Sequence, residues 1–195
     1  VRHGKDPAEY RGGFSQIDLN DEGREQVNKL AEYIWEKRHF LNISKIFSSD
    51  LPRTLSTAEG IASKLSIPIV LEKRIREMEN GDLAGMLNSE AEKKYPGLYF
   101  NTLRMDEKYP NGESPIEFYK RIEKWFYEII EEKKQNGNIL IVTHSGVINI
   151  IYHIINRIEW SNKSKAYKVA NCSIHILNVN TMQFEVENNT EFLIY

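Results

Sequence analysis

A chain of 195 residues, 41% hydrophobic and 28% charged, carries enough apolar material for one packed domain over 1–195 without staples. Its one cysteine, Cys172, excludes an internal disulfide and a CxxC metal site and suits a reducing, cytoplasmic setting. A net charge of −2 points away from nucleic acid, and no apolar run approaches the roughly 20 residues of a membrane span, so an anionic ligand needs a local cluster of cations.

Val27, Leu30, Ala31, Ile34 and Trp35 form the stripe of an amphipathic helix over 21–38. A short strand at 44–48 leads to a helix over 52–65, with Pro52 in its first turn, where a missing N–H costs little. A strand at 67–71 precedes a loop at 77–85. A helical turn or two at 89–94 opens an irregular excursion at 96–113, marked by Pro96, Gly97, Pro110 and Gly112. Ser114 can cap a helix reaching 134, whose buried side carries Tyr119, Ile122, Trp125, Phe126, Ile129 and Ile130. The run 138–143 reads as a strand covered on both faces. It is followed by a helix at 146–156 with Val147, Ile150, Ile151, Ile154 and Ile155 on one side. Two β-like segments, 173–178 and 183–186, flank a turn at Asn180-Thr181. Such alternation predicts an α/β layered domain with a mostly parallel sheet.

In open α/β sheets functional groups gather at the carboxyl ends of the strands. Arg2-His3-Gly4, Ser48 to Arg53, Arg76-Glu77 and Thr143 to Gly146 would all arrive there. Taken singly, each has an ordinary structural explanation. Together they assemble two histidines, two or three arginines and a carboxylate, an acid–base group inside a cationic pocket. His39, His153 and His175 fall outside these strand ends and read as structural or surface residues.

These segments resemble the histidine phosphatase superfamily, the phosphoglycerate mutase-like proteins. Val1 to Gly4 is similar to the RHG signature. Asp50 to Ala58 is similar to the segment with a phosphate-binding arginine, Arg76 to Gly85 to the general-acid segment, Gly112-Glu113-Ser114 to the GES before a long helix, and Val142 to Ile148 to the second-histidine segment. The resemblance spans essentially the whole chain. It implies a three-layer α/β/α sandwich with a mostly parallel central sheet, and a phosphomonoester hydrolase acting through phosphohistidine on His3.

Arg2, Arg53 and His144 (as imidazolium) would bind the phosphoryl oxygens, and Glu77 would serve as general acid and base, with Glu79 as the fallback. One His3 nitrogen would attack while the other donates to a backbone carbonyl. Neither a cofactor nor a metal is implied, and the partner is a small phosphorylated molecule. No feature specifies an oligomer. Asp6 and Glu9 depart from the neutral polar groups usual near the phosphate. Arg11 could neutralise one of them and is a further candidate substrate contact. In the family a hydrophobic strand leads into RHG; here only Val1 precedes it, so that strand is expected to be truncated or very short.

The excursion at about 86–113, with Tyr99, Phe100, Arg104 and Tyr109, is a candidate lid. Mutases of the family tend to be longer, with a closing C-terminal tail, and none is seen after the last β-like segment here, which favours water as the acceptor. Mutase-type phosphoryl transfer and a non-catalytic phospho-ligand binder are the alternatives, with a metal hydrolase on His3 and His144 a distant third.

Overall fold

The computed structural model describes residues 1–133, 137–163 and 166–194. At its centre β1 (Ile43–Ser48) lies between β2 (Ile69–Leu71) and β3 (Asn138–Val142), all parallel. Side chains alternate across this sheet as a pleat requires. Ile46, Leu140 and Val142 face α1 (Asp21–Glu36), which is followed by the short α2 (Arg38–Leu41) and by α3 (Pro52–Leu65); Val27, Leu30, Ile34, Ala58 and Ile61 complete that core. Phe47, Ile139 and Ile141 face the other way. They meet Trp125, Phe126, Ile129 and Ile130 of a long helix, and Ile151, Ile154 and Ile155 of the last one. The layering is helix, sheet, helix.

Between these come α4 (Asn88–Lys94), α5 (Pro115–Lys133) and α6 (Ser145–Asn156). Ser114 and Glu117 form a reciprocal cap at the start of α5: the Glu117 carboxylate accepts from Ser114 N at 2.9 Å, and the Ser114 hydroxyl accepts from Glu117 N at 3.3 Å. The expected end of α5 at 134 lies outside the described residues.

The remaining strands, β4 (Ile174–Asn178) and β5 (Gln183–Asn189), form a separate antiparallel hairpin. The amino-terminal residues join the two sheets. Thr143 N donates to Val1 O and His3 N to Thr143 O, while Arg2 N donates to Ser173 O and Cys172 N to His3 O. His3 is therefore gripped on both sides by backbone.

Several boundaries differ from expectation. The first helix ends at Glu36 and resumes as α2 after Lys37. The second strand begins at Ile69 rather than 67, because Ser66 turns left-handed (φ 56) and Pro68 has no N–H to give a ladder. The loop at 77–85 contains a 3₁₀ turn, Gly81–Leu83, and the last strand runs on to Asn189. The excursion is irregular but packed. Leu103 and Tyr109 are buried with Phe118, Ile122 and Trp160, and the Asn162 amide donates to Phe100 O and Leu103 O. An apolar cavity of about 650 Å³ between β3 and β4, lined by Val1, Ile139, Ile141, Ile174 and Ile176 among others, contains none of the candidate site residues. Among the described residues no helix is long and apolar enough to cross a membrane.

Candidate active site

His3 stands at the carboxyl end of the amino-terminal segment and is only 4% exposed. Its Nδ1 lies 2.7 Å from Gly4 O. A carbonyl can only accept, so Nδ1 carries the proton and Nε2 keeps its lone pair. The Asn171 amide donates to His3 O (3.2 Å) and Gly4 O (3.1 Å), and Thr57 Oγ1 accepts from Gly4 N (3.0 Å), fixing the peptide that fixes the ring. Burial, and then the charges of Arg53 and Arg2, hold the His3 pKa well below the usual imidazole range. The ring is neutral and its tautomer is set.

His144 follows β3 after Thr143 and is the N-cap residue of α6, its ring centroid 5.2 Å from that of His3. Arg53 Nη2 lies 3.2 Å from His144 Nδ1, and His144 Nε2 lies 3.0 Å from Ser49 Oγ. A guanidinium only donates, so Nδ1 accepts and Nε2–H donates to Ser49. The imidazolium expected at His144 is thus a neutral ring in this structure. Burial, followed by Arg53, pushes its pKa well below 6.5.

Arg53, 2% exposed, comes from the first turn of α3 after the end of β1. Its Nη1 donates to Ser15 O (3.3 Å), and Nη2 also donates to Gly13 O (2.7 Å). Gly13 has φ +57, and a Cβ there would fall 1.9 Å from the Asn80 side-chain oxygen, so the cradle needs glycine. Arg2 Nη1 donates to Val169 O (2.6 Å), whereas its Nε is buried with no hydrogen-bond partner. An orphaned buried donor is costly, and an arriving anion would satisfy it.

Glu77 reaches the same place from the loop after β2. Its Oε2 accepts from Gly146 N at 3.1 Å, in the first turn of α6, where a helix end favours negative charge. A Cβ on Gly146 would fall 2.2 Å from Glu77 Oε1, so glycine is required for this approach. Behind it, Arg121 Nη1 donates to Arg74 O (2.7 Å) and Arg76 O (3.1 Å), and Nη2 to Glu77 O (3.1 Å). Arg121 is itself gripped by both oxygens of Glu113, whose Oε1 also accepts from Glu79 N (2.8 Å). The observed carboxylate contacts to α6 belong to Glu77; the Glu79 peptide instead pairs with Glu113 in both directions. Arg76 is committed to Asp50, with two contacts of 2.5 Å.

Glu9 is exposed, whereas Asp6 Oδ2 lies 3.6 Å from Arg53 Nε. Arg11 turns toward the excursion: it stacks on Tyr99 (4.2 Å to the ring centroid), lies 3.9 Å from Glu92, and leaves a buried Nε without a partner. The structure thus gathers His3, His144, Arg2, Arg53 and Glu77, and places Arg11 against the excursion wall. Sequence reasoning missed Ser49, Asn171, Arg121 and the carbonyls of Gly13, Ser15 and Val169. A hydroxyl, an amide and backbone oxygens carry no charge pattern to betray them. His153 donates to Asn149 O and His175 bonds Tyr152 and Ser173, both structural, while His39 is exposed. Among the described residues no group of three or more His, Cys, Asp or Glu is arranged to hold a metal ion.

Residues 1–190 match the family profile described as histidine phosphatase superfamily (branch 1). The chain is 32% identical over 186 residues to phosphoglycerate mutase-like protein 4 of Arabidopsis thaliana, covering 92% of this chain and 77% of the relative. It is 27% identical over 194 residues to the metal-independent phosphoserine phosphatase of the same plant, covering 96% and 78%. Among solved structures, Bacillus stearothermophilus YhfR superposes with a TM-score of 0.84 at 21% identity, covering 99% of this chain and 96% of that one.

Proposed function

Because the chain belongs to the histidine phosphatase superfamily (branch 1), we propose that it hydrolyses a phosphomonoester by way of a phosphohistidine on His3, without a metal. The observation that carries the reading is the state of His3: neutral, with Nδ1–H spent on Gly4 O and Nε2 free beside two guanidiniums. Nε2 attacks phosphorus as the ester P–O bond breaks, and Glu77 gives its proton to the departing oxygen. Water then attacks phosphorus, Glu77 takes its proton, and the P–N bond breaks to release phosphate and restore His3.

Charge spread over the equatorial oxygens meets Arg2 and Arg53, with Arg2 Nε already waiting. His144 is the third donor once it turns from Arg53 or gains a proton. Fixed donors of this kind each lower such barriers by roughly 3–4 kcal/mol. Metal independence is supported by the donor set, and by the likeness to a metal-independent phosphoserine phosphatase. The packed excursion at about 86–113 forms a wall over the substrate, and Arg11, with its bare Nε, contacts the leaving group.

A second reading, phosphoryl transfer to a second substrate hydroxyl, is favoured by the mutase-like name of another relative. A mutase must retain a doubly phosphorylated intermediate, and the Asp6 carboxylate beside Arg53 works against that. A passive binder has no use for a neutral His3 facing an acid. Turnover of an aryl phosphate in EDTA tests the proposal. Turnover should persist without metal and fall at least a thousandfold in His3→Ala, in keeping with loss of a nucleophile. Unchanged turnover in that variant sinks it. With phosphoglycerate as substrate, isomer in place of free phosphate supports the mutase reading.

A further inference from the structure

Of the donors on Arg53, Nη1 is held by Ser15 O and Nη2 by Gly13 O and His144. Nε and the second Nη1 hydrogen are left for an anion, and Asp6 Oδ2 stands 3.6 Å from Nε, inside ion-pair range but outside a hydrogen bond. Asp6 also acts electrostatically on Arg2, whose own Nε is buried and unpaired. Its side chain is 27% exposed, so it has room to swing outward. Asp6 and Glu77 are the acidic side chains that act on both guanidiniums, and both imidazoles are neutral. A pocket meant to hold a phosphate dianion tightly would not carry a carboxylate on its free guanidinium edge.

We propose that Asp6 is a tethered competitor for the phosphate seat: it occupies the free edge of Arg53 in the open site, repels the bound product and so sets weak retention of inorganic phosphate. The inference rests on the reading of this pocket as a phosphatase site and adds a specificity-determining residue to it. Asp6 penalises free phosphate and bisphosphorylated ligands more than a monoester, whose leaving group makes further contacts outside the seat. Release of product is thereby kept from limiting turnover.

The test uses inorganic phosphate as probe, titrated calorimetrically and as a competitive inhibitor of aryl phosphate turnover, against wild type, Asp6→Asn and Asp6→Glu. Asp6→Asn should bind phosphate at least tenfold more tightly, with the gain shrinking as salt rises. Asp6→Glu, which keeps the charge, should gain less than threefold. An unchanged or weaker affinity in Asp6→Asn, an equal gain in both variants, or no measurable phosphate binding in any of them overturns the proposal. His3-dependent turnover persisting through such a result leaves the phosphatase reading standing, and loss of that dependence removes the reading itself.

Discussion

Gly146 has no side chain because Glu77 occupies the space: a Cβ would sit 2.2 Å from the Glu77 carboxylate. Gly146→Ala should therefore push the acid away from the leaving oxygen without touching His3. An alkyl phosphate needs its leaving group protonated and should lose at least tenfold in kcat/KM. An aryl phosphate with a stable phenolate should lose much less. Equal losses on both substrates would show that Glu77 is not the proton donor. The glycine was visible in the sequence, but its reason was not, because Glu77 lies 69 positions away along the chain. His3, Arg53 and Glu77 were legible because strand ends converge in an α/β sheet. The protonation of His144 was not, because it depends on Arg53 donating to its Nδ1.

At the level of elements, α5 does more than cover the sheet. Its apolar stripe was legible from spacing and packs as expected through Trp125, Phe126 and Ile129. Arg121 reads in the sequence as an ordinary surface charge on that helix. In the structure it clamps three carbonyls of the segment that delivers Glu77, and the Glu113 carboxylate aligns the clamp. A planar fork does this and an ammonium cannot, so Arg121→Lys is not conservative here. We expect Arg121→Lys to repeat the alkyl-over-aryl pattern of Gly146→Ala in weaker form, with the helical circular dichroism preserved. A variant that loses both substrates alike, or neither, would reduce Arg121 to a packing residue. The bounds of β2 and α1 were less legible, since a left-handed Ser66 and the break at Lys37 depend on tertiary fit rather than periodicity.

For the whole molecule, the parallel sheet and its helical layers follow from alternating strands and helices, and this much the sequence carried; the order β2-β1-β3 was not legible in it. The amino-terminal residues wedged between β3 and the β4–β5 hairpin, and the Asn171 contacts that lock His3, are long-range and could not be read locally. Burial of histidines has a global consequence. His3, His144 and His175 are kept neutral, with His175 pushed down to about 3. An unfolded histidine titrates near 6.5. As pH falls below that value the unfolded chain takes up protons that the native state refuses. Stability then drops on the order of 1 kcal/mol per pH unit for each such group, down to its native pKa. The Asp50 carboxylate, held low by Arg76, adds to the loss further down, as pH falls through the carboxylate range. The urea midpoint should therefore fall between pH 7 and pH 5. A flat midpoint across that window would contradict neutral burial of the three rings.

The claim on which the rest depends is that His3 carries the phosphoryl group. Rapid quench into alkali, with an aryl phosphate that releases its phenol easily, should trap wild-type protein bearing one phosphoryl group on His3, labile to acid. Glu77→Gln should accumulate more of it, because water attack on the intermediate has lost its base. His3→Ala should show none. A phosphoenzyme that persists in His3→Ala, or full turnover in wild type with no trappable intermediate on His3 in either wild type or Glu77→Gln, would contradict the account.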